Sequence, residues 1–190
     1  MSGHDGRYPI EEERYDQSVG RLLPHRIGQI LQELGFETWI CKGQSNGIDL
    51  IVFNENGLVF VAEIINFSVK SELSRKRLNS MISNLSEYSC RRVLIFSTCK
   101  NENILADLPA YDISLLKIGY QLQPKFFYNH YAKKNQVVLR EIDSRTTRRD
   151  ITSKIVKFLQ SSGIEIPRKI NNPLQMQTAH KTLDDFVMIT

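Results

Sequence analysis

Two carboxylates separated by a turn carry the clearest chemical signal in this chain. Asp49 and Glu63 lie within NGIDLIVFNENGLVFVAEIIN, residues 46–66. Asp49 comes directly before the apolar run Leu-Ile-Val-Phe, and Glu63 interrupts a second such run. Between them Asn54, Glu55, Asn56 and Gly57 are turn residues, so the spacing predicts two antiparallel strands. A hairpin of this kind brings positions distant in sequence to one place. Two carboxylates side by side in a partly buried site repel each other, and a cation or a shared proton relieves that repulsion. The plain alternative is a pair of exposed strand-end charges, the usual situation of Asp and Glu.

Composition narrows the classes such a pair can serve. A length of 190 residues suffices for a compact domain with a sizeable core. Hydrophobic residues make up 41% and charged residues 24%, as in ordinary soluble globules. No run suits a membrane-spanning helix, and the first residues lack the apolar stretch of a secretory signal, so neither a membrane partner nor export is expected. Cys41, Cys90 and Cys99 are odd in number and scattered, which suits a reducing, intracellular compartment and forms no CxxC zinc motif. His4, His25, His130 and His180 stand apart, with no HExxH, so a zinc enzyme is not expected. A net charge of +4 permits a nucleic-acid partner without demanding one.

The elements that must position the pair follow from hydrophobic periodicity. Residues 1–16 are polar, with Gly3, Gly6 and Pro9, and read as a flexible lead-in. An α/β domain is expected over 17–166. It opens with a helix over 17–34, where Val19, Leu22, Leu23, Ile27, Ile30, Leu31 and Leu34 recur at helical steps around Pro24. A strand over 36–41 and the loop 42–47 lead into the hairpin. A second amphipathic helix is expected over 71–88, then strands over 92–97, 113–121 and 136–142, and a helix over 148–159. The fold class is therefore α/β, a mixed central sheet flanked by helices. Residues 167–179, with two prolines and adjacent asparagines, read as a polar tether, and apolar residues return in 180–190.

This layout resembles the PD-(D/E)XK nuclease superfamily, the restriction-endonuclease-like fold, and most closely its archaeal Holliday-junction resolvases and Mrr-like enzymes. Gly47-Ile48-Asp49 matches the first motif element, and Ala62-Glu63-Ile64-Ile65 stands where Ala/Val-Glu-x-Lys is expected. The resemblance covers roughly residues 17–100. It implies that Asp49 and Glu63 hold Mg²⁺ or Mn²⁺ against a scissile phosphate while a lysine assists the attacking water. Hard oxygen donors suit that metal, which keeps several waters of its own. The lysine position is Ile65, which has neither charge nor donor. Lys70 or Lys76 could reach back in its place, and Lys42 precedes Asp49; each is otherwise a solvated cation. Strand alternation turns Asn66 to the face opposite Glu63 and Ile65, so only a bulge would bring it into the site.

Further basic residues suggest a nucleic-acid surface: Lys42, Arg75, Lys76 and Arg77, then Arg91 and Arg92, then Arg145, Arg148 and Arg149. Helix-surface charges balanced by acids would look the same. Phe126, Phe127, Tyr128 and Tyr131 lie in one segment with Lys125, Lys133 and Lys134, a combination that can stack bases or simply fill a core or interface.

The chain's last segment resembles the peptide by which DNA-repair proteins bind the sliding clamp PCNA, Gln-x-x-aliphatic-x-x-aromatic-aromatic. Leu183 and Phe186 match the aliphatic and first aromatic positions, while His180 and Val187 replace the glutamine and second aromatic. On one turn of helix Leu183 and Phe186 would plug an apolar pocket; docking on the chain's own domain would use the same residues. The two resemblances together imply a DNA-processing protein of repair or recombination, archaeal or nuclear, and a homodimer as is common among small family members. The alternative is a catalytically degenerate nuclease-fold adaptor that binds DNA or PCNA. A nuclease acting on RNA is a third reading.

Overall fold

Side-chain direction alternates along central strands that are buried on both faces, and that alternation divides the molecule into two cores. The computed structural model describes residues 8–41, 47–122, 125–127, 138–140 and 145–167. The elements are α1 (Tyr8–Glu33), β1 (Glu37–Ile40), β2 (Leu50–Asn54), β3 (Gly57–Ile65), α2 (Arg75–Ser86), β4 (Arg91–Phe96), β5 (Ile113–Lys117), β6 (Lys125–Phe127), β7 (Val138–Arg140) and α3 (Arg145–Ser161). Two 3₁₀ turns, Glu102–Leu105 and Leu108–Tyr111, join β4 to β5.

The main sheet has the order β1-β2-β3-β4-β5. β1, β2 and β3 pair antiparallel, whereas β3, β4 and β5 pair parallel. This is the mixed, helix-flanked α/β sheet that the periodicity predicts. Leu50, Val52, Phe60, Ala62 and Ile64 turn toward α1 and α3, where Leu23, Ile27, Ile30, Ile151, Ile155 and Leu159 cover them. Ile51, Phe53, Val61, Ile65, Leu94 and Phe96 turn the other way, toward Leu78, Met81 and Leu85 of α2 and Leu105 and Leu108 of the 3₁₀ turns. Each fully buried leucine contributes about 1.5–3 kcal/mol relative to exposure, which is why both faces of so small a sheet must be covered.

Asn54↔Gly57 closes the β2–β3 turn, where Gly57 adopts φ 118° and the Asn56 N–H donates to Asn54 Oδ1 at 2.9 Å. The register shifts between Val52 and Phe53. That bulge lies far along the hairpin from Asn66.

Boundaries differ from the sequence pattern where side chains hold the backbone out of the next element. The first helix begins at Tyr8 rather than at residue 17, so half of the expected lead-in is helical; Pro9 fits a first turn, where its missing N–H costs nothing. α2 begins at Arg75 rather than 71, because Ser74 caps it by accepting from Arg77 N. Asn101 occupies both backbone groups of Leu73, accepting its N–H and donating to its carbonyl at 2.9 Å each. β5 stops at Lys117 and does not continue to 121, and Gly119 follows at φ 95°. β6 and β7 form a separate two-stranded sheet.

Candidate functional site

Sheet register explains how the two carboxylates meet. The antiparallel pairing Ile51↔Val61 and Leu50↔Ala62, continued by one residue, sets Asp49 opposite Glu63. Asp49 has the parity of Ile51 and Phe53, and Glu63 that of Val61 and Ile65, so both side chains turn to the α2 face. Asp49 is held firmly at this point. Its N–H donates to the Ala62 carbonyl and its carbonyl accepts from Cys41 N, both at 3.0 Å, joining β1 and β3. Its Oδ2 accepts the Ile64 N–H at 2.7 Å.

Glu63 is only 6% exposed. Asn84 of α2 donates from Nδ2 to Glu63 Oε1 at 2.8 Å. Burial pushes the Glu63 carboxyl up to about 7, Asn84 opposes that shift, and the negative charge of Asp49 adds to it. Burial likewise raises Asp49, against the pull of the Ile64 amide and of Arg77. The pair therefore shares the frustration expected of two opposed carboxylates in low dielectric, and a proton or a cation resolves it.

A cavity of about 700 Å³ opens over the pair. Arg77, Met81 and Asn84 of α2 form one wall and Arg21, Pro24 and His25 of α1 another. Pro24 offers no N–H to the carbonyl of Gly20, and both residues line the cavity. Arg77 and Asn84 are seven residues apart, so two helical turns bring them to one face. Among the described residues no group of three or more His, Cys, Asp or Glu gathers. The acidic donor set is thus two carboxylates, which fits a hard divalent cation that keeps its own water better than a closed zinc site.

The other expected residues are placed as follows. Ile65 is 3% exposed and packs in the α2-side core, so the position expected for a lysine is a core position. Asn66 turns its side chain to Leu122, its Nδ2 donating to the Leu122 carbonyl at 2.8 Å and its Oδ1 accepting the Leu122 N–H at 2.9 Å, yet it lines the same cavity as Asp49 and Glu63 without the bulge that strand alternation called for. Lys70 and Lys76 are exposed, and neither lines the cavity. Lys42 lies outside the described residues, as do His180, Leu183, Phe186 and Val187.

Among the described residues the basic groups are divided between elements on both sides of the sheet. Arg75 faces Asp107 at 3.6 Å, Arg92 pairs with Asp112 at 3.1 Å, and Arg91 donates to the Ser162 carbonyl at 2.8 Å. Arg148 pairs with Glu33, and Arg149 is exposed beside it on α3, across the sheet from α2. Only Arg77 of the three basic residues opening α2 reaches the cavity. Sequence reasoning missed Asn84 and placed Arg77 in a surface cluster. The available signal was a polar residue beside the buried stripe Leu78, Met81 and Leu85, seven positions after an arginine.

No known protein family matches the chain, and no curated protein matches it. Among solved structures it is similar to the crystal structure of the protein of unknown function AF1548, at 14% identity and a TM-score of 0.36, over 75% of this chain and 77% of that one. None of the described helices is long and apolar enough to cross a membrane.

Proposed function

We propose that this chain is a DNA-processing protein of nuclease fold, acting in repair or recombination by metal-dependent hydrolysis of phosphodiester bonds in structured DNA. The observation that carries this reading is the opposition of Asp49 and Glu63 on a cavity wall, both carboxyls raised by burial. Asp49 and Glu63 would hold Mg²⁺ or Mn²⁺, and the bound ion supplies an acidified water and neutralises phosphate charge. The chain's own contribution is orientation. The Ile64 amide fixes Asp49, Asn84 fixes Glu63, and Arg77 places positive charge beside both. The C-terminal segment with Leu183 and Phe186 would recruit the protein to PCNA.

Incubation of labelled duplex, flap, single-stranded and four-way DNA with Mg²⁺ or Mn²⁺ tests the activity. Cleavage that Asp49→Ala abolishes is the expected result. The buried Ile65 favours a second reading, an adaptor that binds DNA or PCNA without cutting, and retained binding with no cleavage in any condition selects it. Calorimetric titration of a 175–190 peptide into PCNA tests recruitment; an affinity unchanged by Phe186→Ala rejects it.

A further inference from the structure

We infer that Arg77 is the phosphate-binding cation of this site, a residue of α2 that grips the nonbridging oxygens of a nucleic-acid phosphodiester where the strand supplies no lysine. The inference rests on the function proposed above and adds a named residue with a defined role.

Charge balance calls for such a group. A divalent ion balances two ionised carboxylates, and the phosphodiester then brings a negative charge that nothing on β2 or β3 offsets. Hydrolysis sharpens the need. Water adds its oxygen to phosphorus and releases a proton to solvent, while the bond from phosphorus to one sugar oxygen breaks and that oxygen takes up a proton. During this exchange the charge spreads over the nonbridging oxygens. A guanidinium presents a planar fork of N–H donors matched to two such oxygens.

Arg77 is the residue placed to do this. It lines the same cavity as Asp49 and Glu63, and its charge acts on both carboxylates. Its guanidinium carbon sits 4.9 Å from the centre of the Phe67 ring, a cation–π contact that steadies the head group. The strand leading to Phe67 is itself fixed by the Asn66 clamp on Leu122. Among the described residues the Arg77 side chain makes no ion pair, whereas Arg75 is turned to Asp107. Helical geometry separates the three neighbours by about 100° each, which explains why Lys76 points away while Arg77 shares its face with Asn84. A phosphate held by Arg77 would lie over the carboxylate pair, between α1 and α2.

The test compares wild type with Arg77→Met, which keeps the stem over Phe67, and Arg77→Lys, which keeps the charge without the fork. Cleavage of the best DNA substrate should fall by about a hundredfold or more in Arg77→Met and recover in part in Arg77→Lys. Binding of the same DNA in Ca²⁺ should weaken in Arg77→Met, with the salt slope reduced by about one. Thermal melts identify an unfolded variant. A wild type that cleaves while Arg77→Met matches it in rate and salt slope overturns this inference alone. A wild type that cleaves no DNA removes the function proposed above, and this inference with it.

Discussion

Gly47 and Asn84 approach so closely that a Cβ on Gly47 would stand 1.9 Å from Asn84 Nδ2. The same Nδ2 donates to Glu63, so the glycine's missing side chain is the space in which the carboxylate's partner sits. Gly47 also holds φ 65°, a left-handed conformation that side chains other than Asn and Asp rarely adopt. Gly47→Ala therefore adds strain and displaces Asn84. The expected result is a loss of about 1–3 kcal/mol in stability together with weaker Mn²⁺ binding. Urea unfolding and calorimetric Mn²⁺ titration read the two effects separately.

Asn84→Ala removes the donor without touching the backbone. Glu63 then loses the hydrogen bond that opposes its raised ionisation and should titrate above its present value of about 7. Supporting residues of this kind typically alter metal affinity by about 10–100-fold. The loss in Mn²⁺ affinity should grow as pH falls below neutrality, because the proton competes more strongly. An affinity ratio to wild type that is constant from pH 6 to pH 8 contradicts this role.

Glu63 predicts how stability depends on pH. Its carboxyl ionises near 7 when folded and near 4.5 when unfolded. Between these values the folded protein keeps a proton that the unfolded chain has released, so stability falls as pH rises through the window and levels off above it. The fall approaches about 3 kcal/mol, and Asp49, shifted in the same direction, adds to it at the acidic end. Glu102 and Asp150 are shifted down and act with opposite sign at lower pH. Denaturant unfolding at steps from pH 4.5 to 8 should show this slope in wild type and little of it in Glu63→Gln. Saturating Mn²⁺ should flatten it as well, since the cation takes the place of the proton.

Ile65→Lys would supply the amine that the nuclease pattern expects, at a position that is 3% exposed and packed against Leu73, Leu78 and Phe96. A buried ammonium there lacks solvent, and its pKa should fall by several units. The expected outcome is a destabilisation of about 3 kcal/mol or more, from lost packing and buried charge, with no gain in cleavage. A variant that is both stable and faster would show that the residue at 65 faces the chemistry after all.

The extent to which the site was legible follows from its physics. Alternation along two short strands and the turn residues 54–57 sufficed to set Asp49 and Glu63 on one face, since side-chain parity in a strand is a local property. The same rule left Ile65 beside Glu63, but it did not show that Asn66 lines the cavity as well. The α/β class followed from periodicities of two and of three to four, which are local as well. Helix boundaries were less legible, because Ser74 and Asn101 end the loop before α2 by side-chain hydrogen bonds that apolar spacing does not register.

What only the tertiary structure decided was which residues complete the pair. Lys70, Lys76 and Arg77 are near neighbours in sequence and chemically alike, and composition cannot choose among them. The choice depends on how α2 is rotated over the sheet, a rotation set by Leu78, Met81 and Leu85 packing onto Val61, Ile65 and Leu94. That packing places Arg77, itself solvent-exposed, and Asn84 on the cavity wall and leaves Lys76 off it. The sequence alone determined the two carboxylates and their common face, because β-strand geometry is written locally. The cation and the amide beside them were decided by contacts between α2 and the sheet, which join residues far apart in the chain.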